Sequence, residues 1–379
     1  MSEVNSNTAS KLGNEIPARF LFNGQIGQLL LKWLIDDAGR ARLSRKFRWY
    51  YRMRPLIPIV LRQMLQKGRN GSMPVPEDWY LPVQFTAQLR RCLRETPLQQ
   101  ATIHPWPDQN NMACVLTHDV ETGEGLKGVL RLARLEEDYG FRSSWNLVPH
   151  KYPIDLGLLT ELQNRGHEVA VHGFNHDGRL FESQSMFRSR SAPINLAIRR
   201  FGSLGFRSPM VHRNLEWMQA LAIDYDSSCF DQDPFQAMPG GVGGVWPFFV
   251  GKFVELPYTL PQDHTLFVAL QQESPDVWIE KYEWLRRISG MALLITHPDY
   301  LNTAKRFDVY KRFLDYLSEQ EACWHALPRE VATWWRQRDG MEILGEPSSA
   351  RIVGSSAERA RITTAGEFFG ELLPEGAVA

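Results

Sequence analysis

The feature that most limits the fold of this chain is a regular alternation of short apolar runs with helical patterns, which begins at residue 112. Runs typical of strands lie at 112–118, 142–148, 167–171, 204–208, 223–227, 253–258, 291–296 and 322–327. Helical patterns lie at 126–138, 155–165, 213–221, 276–288, 303–318 and 328–338. Such alternation over about 220 residues predicts a mostly parallel sheet with helices outside, either open or closed into a barrel. In both forms, functional residues gather at the carboxyl ends of the strands.

The composition is that of an ordinary globular protein, since 43% of the 379 residues are hydrophobic and 23% are charged. The formal net charge is zero, so the field of the whole protein gives no reason to expect a nucleic-acid partner. The four cysteines are far apart, which argues against a disulfide framework or a structural zinc knot. No signal-peptide pattern and no apolar run of about 18 residues is visible, so we expect a soluble, cytoplasmic protein.

We expect four parts along the chain. Residues 1–15 are rich in serine and asparagine and are predicted to be disordered. Residues 16–109 are predicted to form a helical N-terminal extension, and 110–340 the main domain. Residues 341–379 lose the alternating pattern and are predicted to be a short appendage or tail.

Residues 48–62 of the extension interleave basic, aromatic and aliphatic side chains. One interpretation is a surface that meets a membrane or an anionic glycan. The other interpretation, more common for such a stripe, is a helix that packs its apolar side on the main domain. The sequence leaves both open.

The first strand of the main domain ends in polar residues. Its apolar run leads into His118, Asp119 and Glu121, just before a turn that contains glycine. Since side chains alternate along a strand, Asp119 and Glu121 share one face while His118 points to the other. Two carboxylates at the end of a buried strand are costly unless something cationic lies between them, which predicts a metal site.

Later strand ends supply further polar residues. One strand ends in His172, and His176 follows four residues later, so the two histidines can converge on one metal ion. Arg207 ends another strand, where an arginine can hold a carboxylate by a two-pronged hydrogen bond. His297 directly follows a third apolar strand, and His150, after a further strand end, is expected to line the cleft.

One loop gathers three carboxylates within eight residues, at Asp226, Asp231 and Asp233. A functional role at the strand end is one interpretation. A structural role is equally supported, because aspartate and serine side chains readily cap loops.

Taken in order, these motifs resemble those of the polysaccharide deacetylases with a NodB-type domain, carbohydrate esterase family 4. That family typically shows Thr-Phe-Asp-Asp, His-(Ser/Thr)-x-x-His, Arg-x-Pro, an Asp-containing loop and Leu-x-x-His. The corresponding stretches here are Thr-His-Asp-Val-Glu at 117–121, His-Gly-Phe-Asn-His at 172–176, Arg-Ser-Pro at 207–209, the loop at 226–233, and Leu-Ile-Thr-His at 294–297. The resemblance covers roughly residues 110–335 and implies a distorted (β/α) barrel of about seven or eight mostly parallel strands.

The first motif differs from the family pattern. Asp119 falls on the family's catalytic base, while Val120 occupies the place of its metal-binding aspartate. Valine cannot bind metal, so Glu121 is the expected substitute ligand beside His172 and His176. Three protein ligands leave a divalent metal with an open position, and zinc suits this ligand set, although cobalt, nickel or iron would also fit.

The resemblance also implies roles for residues around the metal. Arg207 would hold Asp119 ionised, and His297 would protonate the departing amine. Candidates for contacts with the substrate or the developing oxyanion are Pro209, Tyr225, Asp226 and Asp231.

The expected activity is removal of N-acetyl groups from an amino-sugar-containing glycan or glycan precursor, with no nucleic-acid partner. Two alternatives stay open: a non-sugar amide or cyclic-ureide hydrolase of the same fold, and a non-catalytic carbohydrate-binding or assembly protein. A peripheral contact with a membrane or with glycan-assembly enzymes would suit the N-terminal extension. The sequence does not indicate an oligomeric state.

Overall fold

The computed structural model describes residues 18–19, 24–58, 61, 64–65, 68–69, 73–95, 99–346 and 349–369. The predicted disorder of residues 1–15 lies outside the described residues. In chain order the strands are β1 (Ala18–Arg19), β2 (Ala101–Ile103), β3 (Met112–Val120), β4 (Ser143–Leu147), β5 (Glu168–His172), β6 (Gly205–Arg207), β7 (Tyr225–Asp226), β8 (Phe248–Val250), β9 (Phe253–Glu255), β10 (Met291–Thr296), β11 (Cys323–His325), β12 (Glu342–Leu344), β13 (Arg351–Val353) and β14 (Ile362–Thr364). The α-helices are Gly24–Arg40, Arg45–Met53, Val83–Leu93, Gly123–Asp138, Leu156–Asn164, Gln184–Phe201, Asp276–Arg287, Ala304–Ser318, Pro328–Asp339 and Ala365–Phe368.

Eight of the strands are mutually parallel and form the curled sheet on which the molecule is built. From one edge the order is β9, β7, β6, β5, β4, β3 and β10, and β11 pairs with the first residues of β3. Strands β8 and β1 extend the sheet beyond β9 in antiparallel orientation. The eight parallel strands are those predicted from the sequence, so the predicted α/β fold with a distorted (β/α) barrel is confirmed.

Strand β3 is central because three other strands pair with it. Strand β10 pairs along most of one side, whereas β11 and β4 pair with the first and last parts of β3. All nine residues of β3 are buried, as expected for a parallel strand covered on both faces. The polar end of this strand therefore lies inside the fold.

Five of the predicted helices are confirmed, but the prediction at 213–221 is wrong. Only the short 3₁₀ turn Trp217–Ala220 forms there, and it ends at Leu221, whose backbone is extended. The helix Gln184–Phe201 was not predicted, because it carries Pro193 in its interior, where proline normally ends a helix. No helix in the described part of the chain is long and apolar enough to cross a bilayer.

A buried ion pair joins the N-terminal extension to the main domain. Asp37 lies on the helix Gly24–Arg40, and its Oδ1 is 2.5 Å from Nη2 of Arg213. Both side chains are buried, and Asp37 also accepts a hydrogen bond from the Gly241 amide. The Asp37 carboxylate is thus the only compensation for Arg213 among the described ion pairs.

The last described residues return to the main domain. Strand β14 pairs antiparallel with β2, with Ile362 opposite Ile103. Phe368 and Phe369 are buried, and each ring centroid lies 6.0 Å from that of Trp246. This segment therefore contributes apolar side chains to the core.

We expect Asp37→Ala to destabilise the protein by about 3–5 kcal/mol, because it leaves the Arg213 guanidinium buried without its counter-charge. The free energy of unfolding, measured by urea denaturation, checks this. The matched control is Asp36→Ala, one residue earlier and exposed, which should change stability by less than about 0.5 kcal/mol. Equal effects of the two substitutions would show that the ion pair does not stabilise the fold.

Candidate metal centre

The carboxyl ends of strands β3, β5, β6 and β10 carry a cluster of polar residues. Asp119 is near the end of β3 and Glu121 directly follows it, while His172 and Arg207 are the last residues of β5 and β6. His297 follows the end of β10. Because parallel strands end at the same edge of the sheet, residues far apart in the sequence meet here.

Glu121, His172 and His176 form a group that could hold a metal ion. One ligand atom of each lies within 4.8 Å of the others. Nε2 of His176 is 2.7 Å from Oε1 of Glu121, and the two imidazole rings are 5.2 Å apart. His176 reaches this position from a left-handed backbone conformation, with φ of 59°.

The state of His172 suits a metal ligand. Its Nδ1 is 3.1 Å from the carbonyl oxygen of Arg207, an acceptor, so Nδ1 carries the proton and Nε2 has a lone pair. Burial lowers the pKa of His172 to about 4 despite the nearby Asp119 carboxylate, so the ring is neutral at pH 7. Among the described residues, the buried Nε2 has no hydrogen-bond partner. A buried lone pair of this kind is explained by a bound cation.

Glu121 leaves the group open on one side. Its side chain is 25% exposed, whereas those of His172 and His176 are almost fully buried. Burial by itself would raise the pKa of Glu121, but the neighbouring His176, His297 and His172 hold it well below its usual value. The carboxylate is therefore ionised and accessible to a small molecule.

Asp119 is held by two hydrogen bonds to the same oxygen. Oδ1 accepts from Nη1 of Arg207 at 2.9 Å and from Nδ2 of Asn146 at 2.7 Å. Its other oxygen, Oδ2, lies 3.8 Å from Nε2 of His172. Burial opposes ionisation, but the neighbouring His172, Arg207 and His297 lower the pKa of Asp119 to about 2. The carboxylate is thus charged, oriented, and free on the side of the metal group.

Arg207 is itself fully buried and fixed by other acceptors. Its Nη1 also donates to Oγ1 of Thr117 at 2.8 Å, and its Nε donates to the carbonyl oxygen of Ser227 at 3.0 Å. Thr117 and Asp119 are two residues apart on β3, so their side chains lie on the same face of that strand and both accept hydrogen bonds from the Arg207 guanidinium. This arrangement sets the position of Asp119 against β6.

His297 is paired with an acid that the sequence analysis missed. Asp263 accepts from the His297 backbone amide at 2.6 Å, and its Oδ1 is 2.7 Å from Nδ1 of His297. Burial would lower the pKa of His297, but Asp263, Glu121 and Asp119 raise it to about 10. The ring is therefore protonated at pH 7, with Nε2 lying 3.6 Å from Oε1 of Glu121.

Asn146 was not predicted as a site residue, although the sequence contains a pattern that could have indicated it. In the parallel register β3 and β4 place Asn146 opposite Asp119, and asparagine is a polar residue inside an apolar run. Asp263 had no comparable signal, because it begins a short helical turn that continues as the π-helical turn Thr265–Ala269 and lies outside the predicted strands and helices.

The four candidates for substrate or oxyanion contacts have structural partners. The Tyr225 hydroxyl donates to Glu168 at 2.8 Å, and Asp226 accepts from the Ser228 hydroxyl at 2.8 Å. Asp231 lies 2.6 Å from the ammonium of Lys281, which also donates to the carbonyl oxygen of Tyr80. Pro209 packs on Gly173, where a β-carbon would lie 2.3 Å from the proline ring. Their roles toward a substrate stay predictions.

The sequence placed His118 on the opposite face of the strand from Asp119, and His150 was expected to line the cleft. His118 points away from Asp119, as predicted, and lies 2.7 Å from both Glu136 and Thr296 in a buried network. Its ring stacks on Trp145 at 4.0 Å. His150 is exposed, and its ring lies 4.4 Å from that of Phe174.

No protein-family model matches the sequence, and no curated protein matches it. Among solved structures, the fold is similar to a putative polysaccharide deacetylase from Mycobacterium smegmatis, with 21% identity, a TM-score of 0.51, and coverage of 61% of this chain and 92% of that one. A probable polysaccharide deacetylase from Pseudomonas aeruginosa PAO1 gives 16% identity, a TM-score of 0.49, and coverage of 62% and 94%. The Puue allantoinase gives 17% identity, a TM-score of 0.48, and coverage of 62% of this chain and 93% of that one. The resemblance seen in the sequence is thereby confirmed at the level of the fold.

We expect Glu121→Ala and His172→Ala to weaken binding of zinc by roughly 100-fold or more, since loss of a ligand should exceed the 10- to 100-fold effect of losing a residue behind one. Isothermal titration of metal-stripped protein measures this. His150→Ala, an exposed histidine at the same edge, is the control and should bind like wild type. Unchanged affinity in Glu121→Ala would remove Glu121 from the ligand set.

Proposed function

We propose that this protein is a metal-dependent hydrolase that removes N-acetyl groups from an amino-sugar-containing glycan or glycan precursor. The observation that carries the proposal is the arrangement around the open metal group. An ionised carboxylate, Asp119, lies on one side, and a protonated imidazole, His297, lies near Glu121. Hydrolysis of an amide needs both a base for water and an acid for the amine.

The donor set supports a divalent metal as cofactor. Two imidazoles and a carboxylate suit zinc, and also cobalt, nickel or iron, with a coordination position left open. When bound, such an ion lowers the pKa of water to about 7 and polarises an amide carbonyl. The unpartnered Nε2 of His172 is the structural observation that supports this fit.

Asp119 would accept the proton of the attacking water. Arg207 and Asn146 occupy Oδ1, so Oδ2 is the oxygen that takes the proton. A carboxylate with so low a pKa is a weak base and accepts a proton only from an acidified donor. Arg207 therefore contributes by orientation and by keeping the carboxylate ionised, as the sequence analysis proposed.

His297 would donate a proton from Nε2 to the departing nitrogen. Asp263 binds Nδ1 and the backbone amide, so the ring is fixed and its remaining N–H faces the metal group. As the carbon–nitrogen bond breaks, the nitrogen takes this proton, because an unprotonated amine is a poor leaving group. The products are acetate and a free amino sugar, and Asp263 acts as a positioning residue.

We expect Asp119→Asn and His297→Ala to lower kcat by about 100- to 10,000-fold while zinc stays bound, because each removes a proton-transfer group and not a ligand. Acetate release gives kcat, and metal analysis of the same samples gives occupancy. Asp36→Ala, an exposed substitution outside the site, serves as the control and should keep wild-type turnover. Wild-type turnover in zinc-loaded His297→Ala would refute the assignment of the acid.

The substrate class is tested by acetate release from a panel of N-acetyl sugars, with and without added zinc. Zinc-dependent release from at least one amino sugar is the expected result. Turnover of a cyclic ureide or a formamide instead would favour a non-sugar amide hydrolase. Absence of turnover together with absence of metal binding would favour a carbohydrate-binding protein.

A further inference from the structure

The N-terminal extension carries a basic and apolar surface that is exposed to solvent. We call this the basic–apolar patch, and its exposed side chains are Arg45, Lys46, Arg48, Trp49, Leu56, Leu61, Met64 and Leu65. Trp49 is 64% exposed and Leu56 is 75% exposed, values that are unusual for large apolar side chains. Half of the large hydrophobic residues exposed in the described structure lie in this patch, in a segment of only 17 positions. Such clustering marks an interaction surface.

The helix Arg45–Met53 has two distinct sides. Arg45, Arg48, Trp49 and Arg52 are exposed and follow the helical spacing of three and four residues, so they share one side. Tyr51 is buried on the other side. The helix is therefore anchored inward by one aromatic residue and presents a second one, surrounded by cations, to the outside.

The charge around this patch is of one sign. Between Asp37 and Glu77 the sequence contains ten lysines and arginines and no aspartate or glutamate, although the whole chain has a net charge of zero. Arg52 pairs with Glu182 of the main domain. In the described part of the chain, no carboxylate pairs with Arg45, Lys46 or Arg48. These cations are available to an anionic partner.

The patch is close to the metal group. Tyr51 packs edge-on against His212 with ring centroids 4.9 Å apart, and a β-carbon on Gly178 would lie 2.5 Å from the tyrosine ring. Gly178 is two residues after His176, in the same loop. The helix that carries the patch therefore covers the loop that supplies one of the metal-binding histidines.

We propose that the basic–apolar patch binds the surface of a bilayer that contains anionic phospholipids. Lysine and arginine are attracted to anionic head groups, while tryptophan favours the interface and leucine and methionine insert below it. A nucleic acid would account for the cations but not for the exposed aliphatic side chains. The bound bilayer would lie beside the loop of His176, where it would bring a membrane-anchored substrate to the metal group.

Co-sedimentation of the full chain with vesicles tests this without any substrate. We expect binding to phosphatidylcholine vesicles that contain phosphatidylglycerol, and little binding to phosphatidylcholine alone. Binding should weaken as NaCl is raised, because the screening length falls to about 3 Å at 1 M salt. Failure to bind, or equal binding to both kinds of vesicle, would overturn the proposal and leave the metal site unaffected.

A matched pair of variants localises the surface. The test variant is Arg45→Glu/Arg48→Glu/Leu56→Ser. The control is Arg199→Glu/Arg200→Glu/Leu196→Ser, the same three changes on the exposed side of the helix Gln184–Phe201. Each basic side chain near an anionic surface adds about fivefold, so the test variant should bind at least about 25-fold more weakly than wild type. The control should bind like wild type.

Two results would contradict the proposal. The first is equal weakening in both variants, since it would mean that any loss of basic charge reduces binding. The second is a loss of self-association in the test variant without a change in vesicle binding, measured by light scattering, since the patch would then join copies of this chain. Zinc affinity, measured on the same samples, reports whether each variant is folded.

Discussion

The site depends on keeping an ionised carboxylate inside the protein, at the end of a strand that is buried along its whole length. Asp119 is only 4% exposed, where an uncompensated charge would be strongly destabilising. Arg207 and Asn146 compensate it by binding one oxygen, and they come from strands β6 and β4. The sheet must therefore have its correct strand order and register before this carboxylate can be both buried and charged. The geometry of the candidate site and the fold are in this sense one constraint.

At His297 a buried charge is also compensated, but there the charge is positive. There the buried group is a cation, and Asp263 compensates it through two hydrogen bonds. The pKa of Asp119 is lowered and that of His297 is raised, because Arg207 lies next to the first and Asp263 next to the second. Two neighbouring groups in different environments would then be able to act as base and acid at one pH, as the proposed reaction requires.

The N-terminal extension shows that a neutral chain can be strongly charged in one region. Its inner side is tied to the main domain by the Asp37–Arg213 pair and by Tyr51, and its outer side is basic and apolar. In the described part of residues 48–62, Tyr51 packs on the main domain, while Trp49 and Leu56 are exposed. A net charge of zero for the whole chain does not exclude a basic surface in one region, because the net charge averages over the local charges that a partner contacts.

Much of the fold and part of the site followed from the sequence by itself. The eight parallel strands were predictable because apolar runs and side-chain alternation are local properties, and alternation also separated Asp119 from His118. The sequence also predicted that His172, Arg207 and His297 lie at one site, because parallel strands end at one edge of the sheet.

The partners of these groups were decided only by tertiary structure. Asp263 is 34 residues from His297, at the start of a short helical turn, and no local pattern indicates that they meet. Asn146 reaches Asp119 through strand register, and the exposed side of the extension is determined by where Tyr51 packs. Contacts between distant segments depend on how the whole sheet curls, and a short stretch of sequence does not contain that information.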